Sequence, residues 1–199
     1  ISAMLVFSAL AALIFSFALD LRGEIAEAAA PGVLWTTIAF AGTLGLSRSM
    51  AREEQSGCID GLLLAPVDRT AIFFGKSLGN MLFMAAVEVA LLPLFSVLFD
   101  VMLIRARIFL VLVLGTVGYA TVGTLLAAIA VNTRAREVML PVLLLPLAVP
   151  VLIGAVQATS GILESATGDQ VGGWIRILVV YDLVIMAVSL LTFGYVVEE

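Results

Sequence analysis

The chain has 199 residues, of which 62% are hydrophobic and 13% are charged. Soluble domains are about half apolar and a quarter charged, so this composition excludes an ordinary soluble protein and predicts a membrane protein. The formal net charge of −5 says little, because the acidic residues cluster in connections and at the chain ends. One cysteine and no histidine exclude an internal disulfide, suggest no metal site and remove the usual haem and zinc ligand from the chain.

Six apolar runs approach the length of about 20 residues that a membrane-spanning helix needs. No soluble domain fits between them, so we expect an all-α, polytopic membrane protein that forms one domain over residues 1–199. The first run begins at once, without a methionine or a cleavable signal pattern, and we expect a short segment to precede it. The predicted spans are Ser2–Leu19, Pro31–Arg48, Ala71–Phe99, Ile108–Val131, Val138–Ala158 and Trp174–Val197.

The cations that flank the short connections predict the orientation of the spans. One side of the membrane receives Arg48, Arg52, Arg69, Lys76, Arg134 and Arg136, and the other receives Arg22, Arg105, Arg107 and Arg176. The positive-inside rule therefore places the first side and both termini in the cytoplasm. Arg105 and Arg107 run against this rule, since they lie on the opposite side.

A Gly-Lys-Ser sequence at Gly75–Ser77 raises the question of a nucleotide-binding loop. The P-loop pattern requires a glycine five positions before the second glycine, where this chain has Thr70. The four residues between are apolar, and no strand is predicted before them. We therefore expect a helix here, and no ATP binding or other catalysis by this chain itself.

The charged connection Ser49–Thr70 contains a helical stripe, because Ile59, Leu62 and Leu63 recur at i, i+3 and i+4. Pro66 ends this segment, and Asp68 can cap the next helix, which runs from about Arg69. The pattern predicts a short amphipathic helix at the cytoplasmic face. Periodicity alone leaves two interpretations open: an interfacial anchor or a docking surface for a partner.

The sequence of this connection resembles that of the membrane subunits of type 2 ABC exporters. The shared features are Glu53-Glu54, Gly57, Leu62-Leu63, Ala65-Pro66-Val67 and Gly75-Lys76. The resemblance implies that residues 49–70 form the coupling helix that docks into a separate ATPase, with Glu53 and Glu54 as the salt-bridging acids. Gln55-Ser56 departs from the family, which more often has an acid there. The implied coupling residues are Glu53, Glu54, Gly57, Ile59, Asp60, Leu62, Leu63, Pro66, Asp68 and Arg69.

Four longer sequence segments resemble the CcmB family, the haem exporter B permeases of cytochrome c maturation. They are "LIFSFALDLR", "APGVLWTTIAFAGTLGLSRSMARE", "GLLLAPVDRTAIFFGKSLGN" and "GTLLAAIAVNTRAREVMLPVLLLPLAVPVLIGAV", between Leu13 and about Ala158. The resemblance implies a non-catalytic, six-span subunit of the bacterial inner membrane. It also implies four partners: a cytoplasmic CcmA-like ATPase, CcmC-like and CcmD-like membrane subunits, and a CcmE-like haem chaperone.

In that setting haem is the substrate, ATP is used through the partner, and this chain holds no stable cofactor and binds no nucleic acid. Whether haem passes through the chain, or ATP releases the loaded chaperone, stays open. Two alternatives remain: an exporter of another substrate, such as a lipid-linked sugar or drug, and a scaffold that transports nothing. A second copy of the chain is a further candidate partner, because six spans form half of a typical ABC membrane unit.

Among the polar residues within the predicted spans, Asn80, Glu88 and Asp182 are the candidates for a role inside the membrane. Ionisable groups in a membrane span are costly and tend to face other helices. Glu88 is expected near the bilayer middle with Asn80 on nearly the same face, whereas Asp182 is expected nearer the outer interface. Each is either a gating or pathway residue or a partner in a helix–helix hydrogen bond.

Trp35 and Trp174 open the second and sixth spans on the outer side. They are either members of an aromatic belt or a stacking surface for a porphyrin or a neighbouring subunit. Pro141, Pro146 and Pro150 bend the fifth span, as a hinge or as static kinks. Arg134 and Arg136 contact the ATPase or lipid headgroups, or only set the topology. The outer connection Thr159–Gly173 is expected to form a short interfacial helix.

Overall fold

Six α-helices follow one another along the described part of the chain. The computed structural model describes residues 2–18, 24–55, 69–130, 136–164, 166 and 168–196. Within these residues all regular secondary structure is helical, which confirms the all-α prediction. The helices are α1 (Ser2–Ala18), α2 (Glu24–Gln55), α3 (Arg69–Leu98), α4 (Ala106–Ala130), α5 (Arg136–Leu163) and α6 (Gly168–Val196).

Five of the helices, α2 to α6, are long and apolar enough to cross a membrane. The chain is therefore a multi-pass membrane protein, as its composition predicts. The apolar part of α1, Met4–Ala18, is shorter. At 1.5 Å per residue, the 17 residues of α1 extend about 25 Å, somewhat less than the ~30 Å hydrocarbon core. The predicted count of six spans is thus not confirmed for α1.

The second helix is much longer than its predicted span, Pro31–Arg48. Residues 24–30 were expected to form part of a connection, yet they are helical, and α2 continues through Pro31. At the other end α2 continues past Arg48 to Gln55, into the predicted connection. The added residues are rich in alanine and glutamate, which are strong helix formers. Hydropathy predicts only the part of a helix that lies in lipid. Residues of high helix propensity can continue the same helix beyond the lipid.

The connection between α5 and α6 is also shorter than predicted, because α5 reaches Leu163 and α6 begins at Gly168. Most of the expected interfacial helix therefore belongs to these two helices. Arg105 closes this end of α5, since its Nη1 donates a 2.9 Å hydrogen bond to the carbonyl of Ile162. The three prolines of α5 lie within one continuous helix, and their role as a hinge stays a prediction.

Helix α4 lies at the centre of the bundle and contacts α2, α3, α5 and α6. Its glycines allow the close approach of neighbouring side chains: Gly115 lies against the ring of Trp35, and Gly123 against Leu46. A methyl group at either glycine would overlap that side chain. Small residues at such contacts are the usual means of packing membrane helices closely. The two contacts also show that α2 and α4 run in the same direction.

A turn at Asp100 reverses the chain between α3 and α4. Asp100 adopts a left-handed conformation with φ of 52°, which aspartate tolerates better than most residues. The amide of Val101 donates a 3.3 Å hydrogen bond to the Ser96 carbonyl, as in a Schellman motif. We call this side of the bundle, with residues 99–106, the end of α5 and the start of α6, the Arg105 end. The opposite side is the Arg48 end.

Candidate functional site

Glu88 lies on α3 at the contact with α4, ten residues before the end of α3 at Leu98. Its side chain is 6% exposed, and its Oε1 accepts a hydrogen bond from the hydroxyl of Thr116. A carboxyl group in a membrane interior is costly unless a donor reaches it. Thr116 supplies that donor, so Glu88 joins α3 to α4 near the middle of the membrane.

Asn80 makes a second contact between the same two helices. Its Nδ2 donates a 2.9 Å hydrogen bond to Oγ1 of Thr124, which in turn donates to the Ala120 carbonyl at 2.7 Å. The Asn80–Thr124 and Glu88–Thr116 pairs lie eight residues apart on each helix, in antiparallel register. A helix–helix hydrogen bond accounts for both geometries. A role of either residue in gating or in a substrate path stays a prediction.

A groove of about 190 Å³ opens between α3 and α4 above the Glu88–Thr116 pair. Apart from these two residues its lining is apolar. The lining from α3 includes Met81, Leu82 and Val89, and that from α4 includes Phe109 and Val113. Several of these side chains are exposed on the outside of the bundle, Leu82 at 64% and Phe109 at 57%. The groove therefore faces the membrane and carries its polar atoms at the bottom.

Asp182 lies deeper in the membrane than the sequence predicts. Because α6 begins at Gly168, Asp182 follows 14 residues later in a helix of 29, at its middle rather than near the outer interface. It is 7% exposed, and within the described residues neither carboxyl oxygen has a hydrogen-bond partner. Its Oδ1 lies directly against Gly118 of α4. A larger residue at position 118 would collide with it.

Trp35 lies inside the bundle, with 2% of its surface exposed. Its Nε1 donates a 3.0 Å hydrogen bond to Oγ1 of Thr159 on α5, while its ring packs on Gly115 of α4. The structure therefore does not support either surface role predicted for Trp35. Trp174 is partly buried against the core, six residues after the start of α6. Its proposed stacking role is untested.

A further polar contact was missed in the sequence analysis. The hydroxyl of Tyr119 on α4 donates a 2.7 Å hydrogen bond to the carbonyl of Ala39 on α2. Oγ1 of Thr43 lies 2.7 Å from the same hydroxyl. Thr43 and Tyr119 are buried, so α2 is held to the central helix by a small polar cluster. The signal was present in the phrase "GTVGYATVGT", whose hydroxyl residues interrupt an otherwise apolar span.

The predicted coupling residues fall mostly outside the described residues. Gly57, Ile59, Asp60, Leu62, Leu63, Pro66 and Asp68 lie there, so the amphipathic helix stays a prediction. Glu53 and Glu54 belong to the last turn of α2, and Arg69 is the first residue of α3. In the part of the chain that the structure describes, no three His, Cys, Asp or Glu side chains cluster as a metal site.

Comparison with known proteins identifies similar chains. The family described as "CcmB protein" matches residues 1–198. The heme exporter protein B of Rhodobacter capsulatus is 34% identical over 141 residues, which cover 69% of this chain and 63% of that protein. The protein of the same name from Pseudomonas aeruginosa is 29% identical over 162 residues, covering 78% of this chain and 71% of its own length. The match thus covers less than two thirds of the Rhodobacter protein.

Proposed function

The chain belongs to the CcmB family, and on that premise we propose that it is the membrane permease subunit of an ATP-driven complex for haem export in c-type cytochrome maturation. The match over residues 1–198 carries this proposal. It is supported by relatives that bear the name heme exporter protein B. Haem is then the substrate handled by the complex, and ATP is hydrolysed by a partner.

The proposal places one six-span domain, residues 1–199, in the bacterial inner membrane, with α1 as its shortest span. Five long apolar helices support the multi-pass arrangement. The distribution of arginine and lysine supports the orientation, with both termini and the Arg48 end in the cytoplasm. The Arg105 end then faces the outer side of the membrane, where the haem chaperone receives its cargo.

In this proposal, residues 49–70 couple ATP hydrolysis by the partner to conformational change in this chain. The helical continuation of α2 to Gln55 supports it, because Glu53 and Glu54 then lie on the same continuous helix as Ala39. The hydroxyl of Tyr119 ties Ala39 to the central helix α4. A displacement of the docking segment by the ATPase would therefore pass along α2 to the middle of the bundle.

The chain has no histidine, so it cannot ligate haem through imidazole. Any haem contact it makes is apolar, involves Met or Tyr, or is made jointly with a partner. We therefore assign haem ligation to CcmC-like and CcmD-like membrane subunits and a CcmE-like chaperone. Either haem moves along this chain, or the conformational change driven by the ATPase releases the loaded chaperone.

The proposal is tested by mild detergent purification of the chain from its native membrane, followed by mass spectrometry and a haem absorbance spectrum. We expect an ABC ATPase and haem-containing membrane subunits to copurify. An ATPase without haem or maturation subunits would point to an exporter of another substrate. If no ATPase copurifies while other membrane complexes stay intact, the coupling role of residues 49–70 is wrong, and a scaffold becomes the better description.

A charge reversal tests the docking role of residues 49–70 separately. We expect the double variant Glu53→Lys/Glu54→Lys to lose the copurifying ATPase while the membrane subunits remain. Glu24→Lys/Glu27→Lys is the matched control, because it makes the same charge change on α2, near the opposite end of the helix. Equal ATPase recovery from both variants would contradict the docking role of Glu53 and Glu54.

A further inference from the structure

A cleft of about 340 Å³ opens at the Arg105 end of the bundle. The side chains of Arg105 and Arg107 line it on one side, at the start of α4. Gly161 and Ile162 line it from the end of α5, and Val171 from the first turns of α6. The cleft therefore combines two cations with an apolar wall.

The structure holds Arg105 in a defined position. Its Nη1 donates to the Ile162 carbonyl at 2.9 Å, which uses one of the five N–H groups of the guanidinium. Both Arg105 and Arg107 are exposed. In the described part of the chain no carboxylate forms an ion pair with either arginine. Glu164, in the neighbouring connection, accepts a 2.8 Å hydrogen bond from the hydroxyl of Ser160 instead.

The backbone adds to the positive character of the cleft. Helix α4 begins at Ala106, so its first N–H groups have no partner within the helix. The positive end of the helix dipole lies at the same place, and it favours an anion. At the start of α4 the amide of Phe109 donates a 3.1 Å hydrogen bond to the carbonyl of Arg105.

Apolar residues border the two arginines. Ile104 precedes Arg105 and is 69% exposed, and Phe109 follows one turn later and is 57% exposed. Neither residue lines the cleft, so an anion with an apolar body could place its charge in the cleft and its body against the exposed apolar surface beside it. Arg105 and Arg107 are two of the four arginines that lie on this side against the positive-inside trend, together with Arg22 and Arg176.

We propose that the Arg105–Arg107 cleft binds the anionic end of a membrane amphiphile through its carboxylate or phosphate groups. Arginine suits this task because its planar guanidinium can hold either group with two hydrogen bonds. Two sources carry this chemistry: an acidic phospholipid and a porphyrin with free carboxylates. Only the porphyrin source rests on the proposed function, because any cell membrane supplies acidic lipid.

The full chain is reconstituted in nanodiscs of phosphatidylcholine and titrated with two pairs of probes. Phosphatidylglycerol against phosphatidylcholine, scored by native mass spectrometry, tests the lipid source. Protoporphyrin IX against its dimethyl ester, scored by quenching of tryptophan fluorescence, tests the porphyrin source. We expect the acidic member of at least one pair to bind more tightly, and its binding to weaken with added salt.

Variants assign the binding to the cleft. We expect Arg105→Gln and Arg107→Gln each to weaken binding of the acidic probe about tenfold, the usual scale of one charge-assisted hydrogen bond. Arg176→Gln is the matched control, because Arg176 is an exposed arginine of α6 near the same end that does not line the cleft. Arg107→Gln decides the result if Arg105→Gln does not fold, since within the described residues Arg107 has no hydrogen bond or ion pair to lose.

The outcomes separate the sources. Tighter binding of phosphatidylglycerol that is lost in the cleft variants assigns the site to a lipid, and the same result with protoporphyrin IX assigns it to a porphyrin. If the acidic and neutral members of both pairs bind equally, the proposal is overturned. It is also overturned if Arg107→Gln and Arg176→Gln change binding to the same extent. None of these results depends on an ATPase, so they are distinct from a failure of the proposed function.

Discussion

Glu88 of α3 and Thr116 of α4 meet in the interior of the bundle, where the Thr116 hydroxyl donates a hydrogen bond to the Glu88 carboxyl group. Both side chains are buried at the bottom of a groove with otherwise apolar walls. The pair therefore places an acidic residue in the membrane without leaving it unsatisfied. Variants of this pair can separate a structural role of Glu88 from a role in transport.

We expect Thr116→Val to lower the stability of the protein by about 1–3 kcal/mol, because the Glu88 carboxyl group then stays buried without its donor. Glu88→Gln keeps an oxygen acceptor of nearly the same shape and should change stability little. The double variant Glu88→Met/Thr116→Val should recover part of the loss, since no polar atom is stranded. Thermal unfolding in detergent measures all three.

The same variants test whether Glu88 acts in transport. If its role is to join α3 and α4, Glu88→Gln should support c-type cytochrome formation at the wild-type level in a strain that lacks the native chain. A variant that folds and assembles normally but produces no c-type cytochrome would contradict this. Glu88 would then have to act as a carboxyl group during the cycle.

Gly118 is predicted to be intolerant of any side chain. The methyl group added by Gly118→Ala should overlap Oδ1 of Asp182 and press on Cγ2 of Val151, which lies 3.0 Å from the added methyl position. We expect a loss of about 1–3 kcal/mol in thermal unfolding, typical of overpacking. Gly172→Ala is the control, because nothing lies within 4 Å of its methyl position.

A second substitution tests the cause of that loss. Asp182→Ala removes the carboxyl group that Gly118→Ala would strike. The two changes should therefore combine with a smaller loss than the sum of the single losses, as expected for residues in contact. Strictly additive losses would show that α4 and α6 do not meet at these residues.

The two tryptophans should differ in exposure. The chain has only these two, so Trp174→Phe leaves Trp35 as the sole tryptophan, and Trp35→Phe leaves Trp174. Because Trp35 is 2% exposed, we expect its fluorescence to be blue-shifted and nearly insensitive to iodide in detergent. Trp174, which is partly buried, should be quenched more strongly. Equal quenching would place Trp35 at the surface and refute its contact with Thr159.

Tyr119→Phe should destabilise the protein by about 0.5–1.5 kcal/mol, because it removes the hydrogen bond that joins α4 to α2 at Ala39. Tyr181→Phe makes the same chemical change at a less buried position, where the hydroxyl donates to the Leu147 carbonyl at 2.6 Å. We expect a smaller effect there. If Tyr181→Phe costs more in thermal unfolding than Tyr119→Phe, the α2–α4 contact is not the more important of the two.

The sequence by itself was enough to determine the class of the protein and most of its architecture. A helix in lipid must satisfy all its backbone groups internally, so a chain with long apolar runs has few other structures available. The order and approximate positions of the six helices followed from such runs, although the bounds of α2 and the start of α6 did not. The resemblance to the CcmB family followed from the sequence around Pro66 and from the longer matching segments. The burial of Glu88 was also predicted from the sequence, because an acidic residue within a membrane span is costly unless it faces other helices.

Only the tertiary structure decided which residues meet. Hydropathy is a property of position along the chain. The contacts of a residue depend instead on the rotation of each helix about its axis and on its axial offset from the neighbouring helix. For this reason Trp35 was expected at the outer interface, yet it donates to Thr159 inside the bundle. Asp182 was expected near that interface because the start of α6 was placed at Trp174, six residues after its actual start at Gly168. The closeness of Gly118 to Asp182, and of Arg105 to Ile162, likewise depends on packing between segments far apart in the chain.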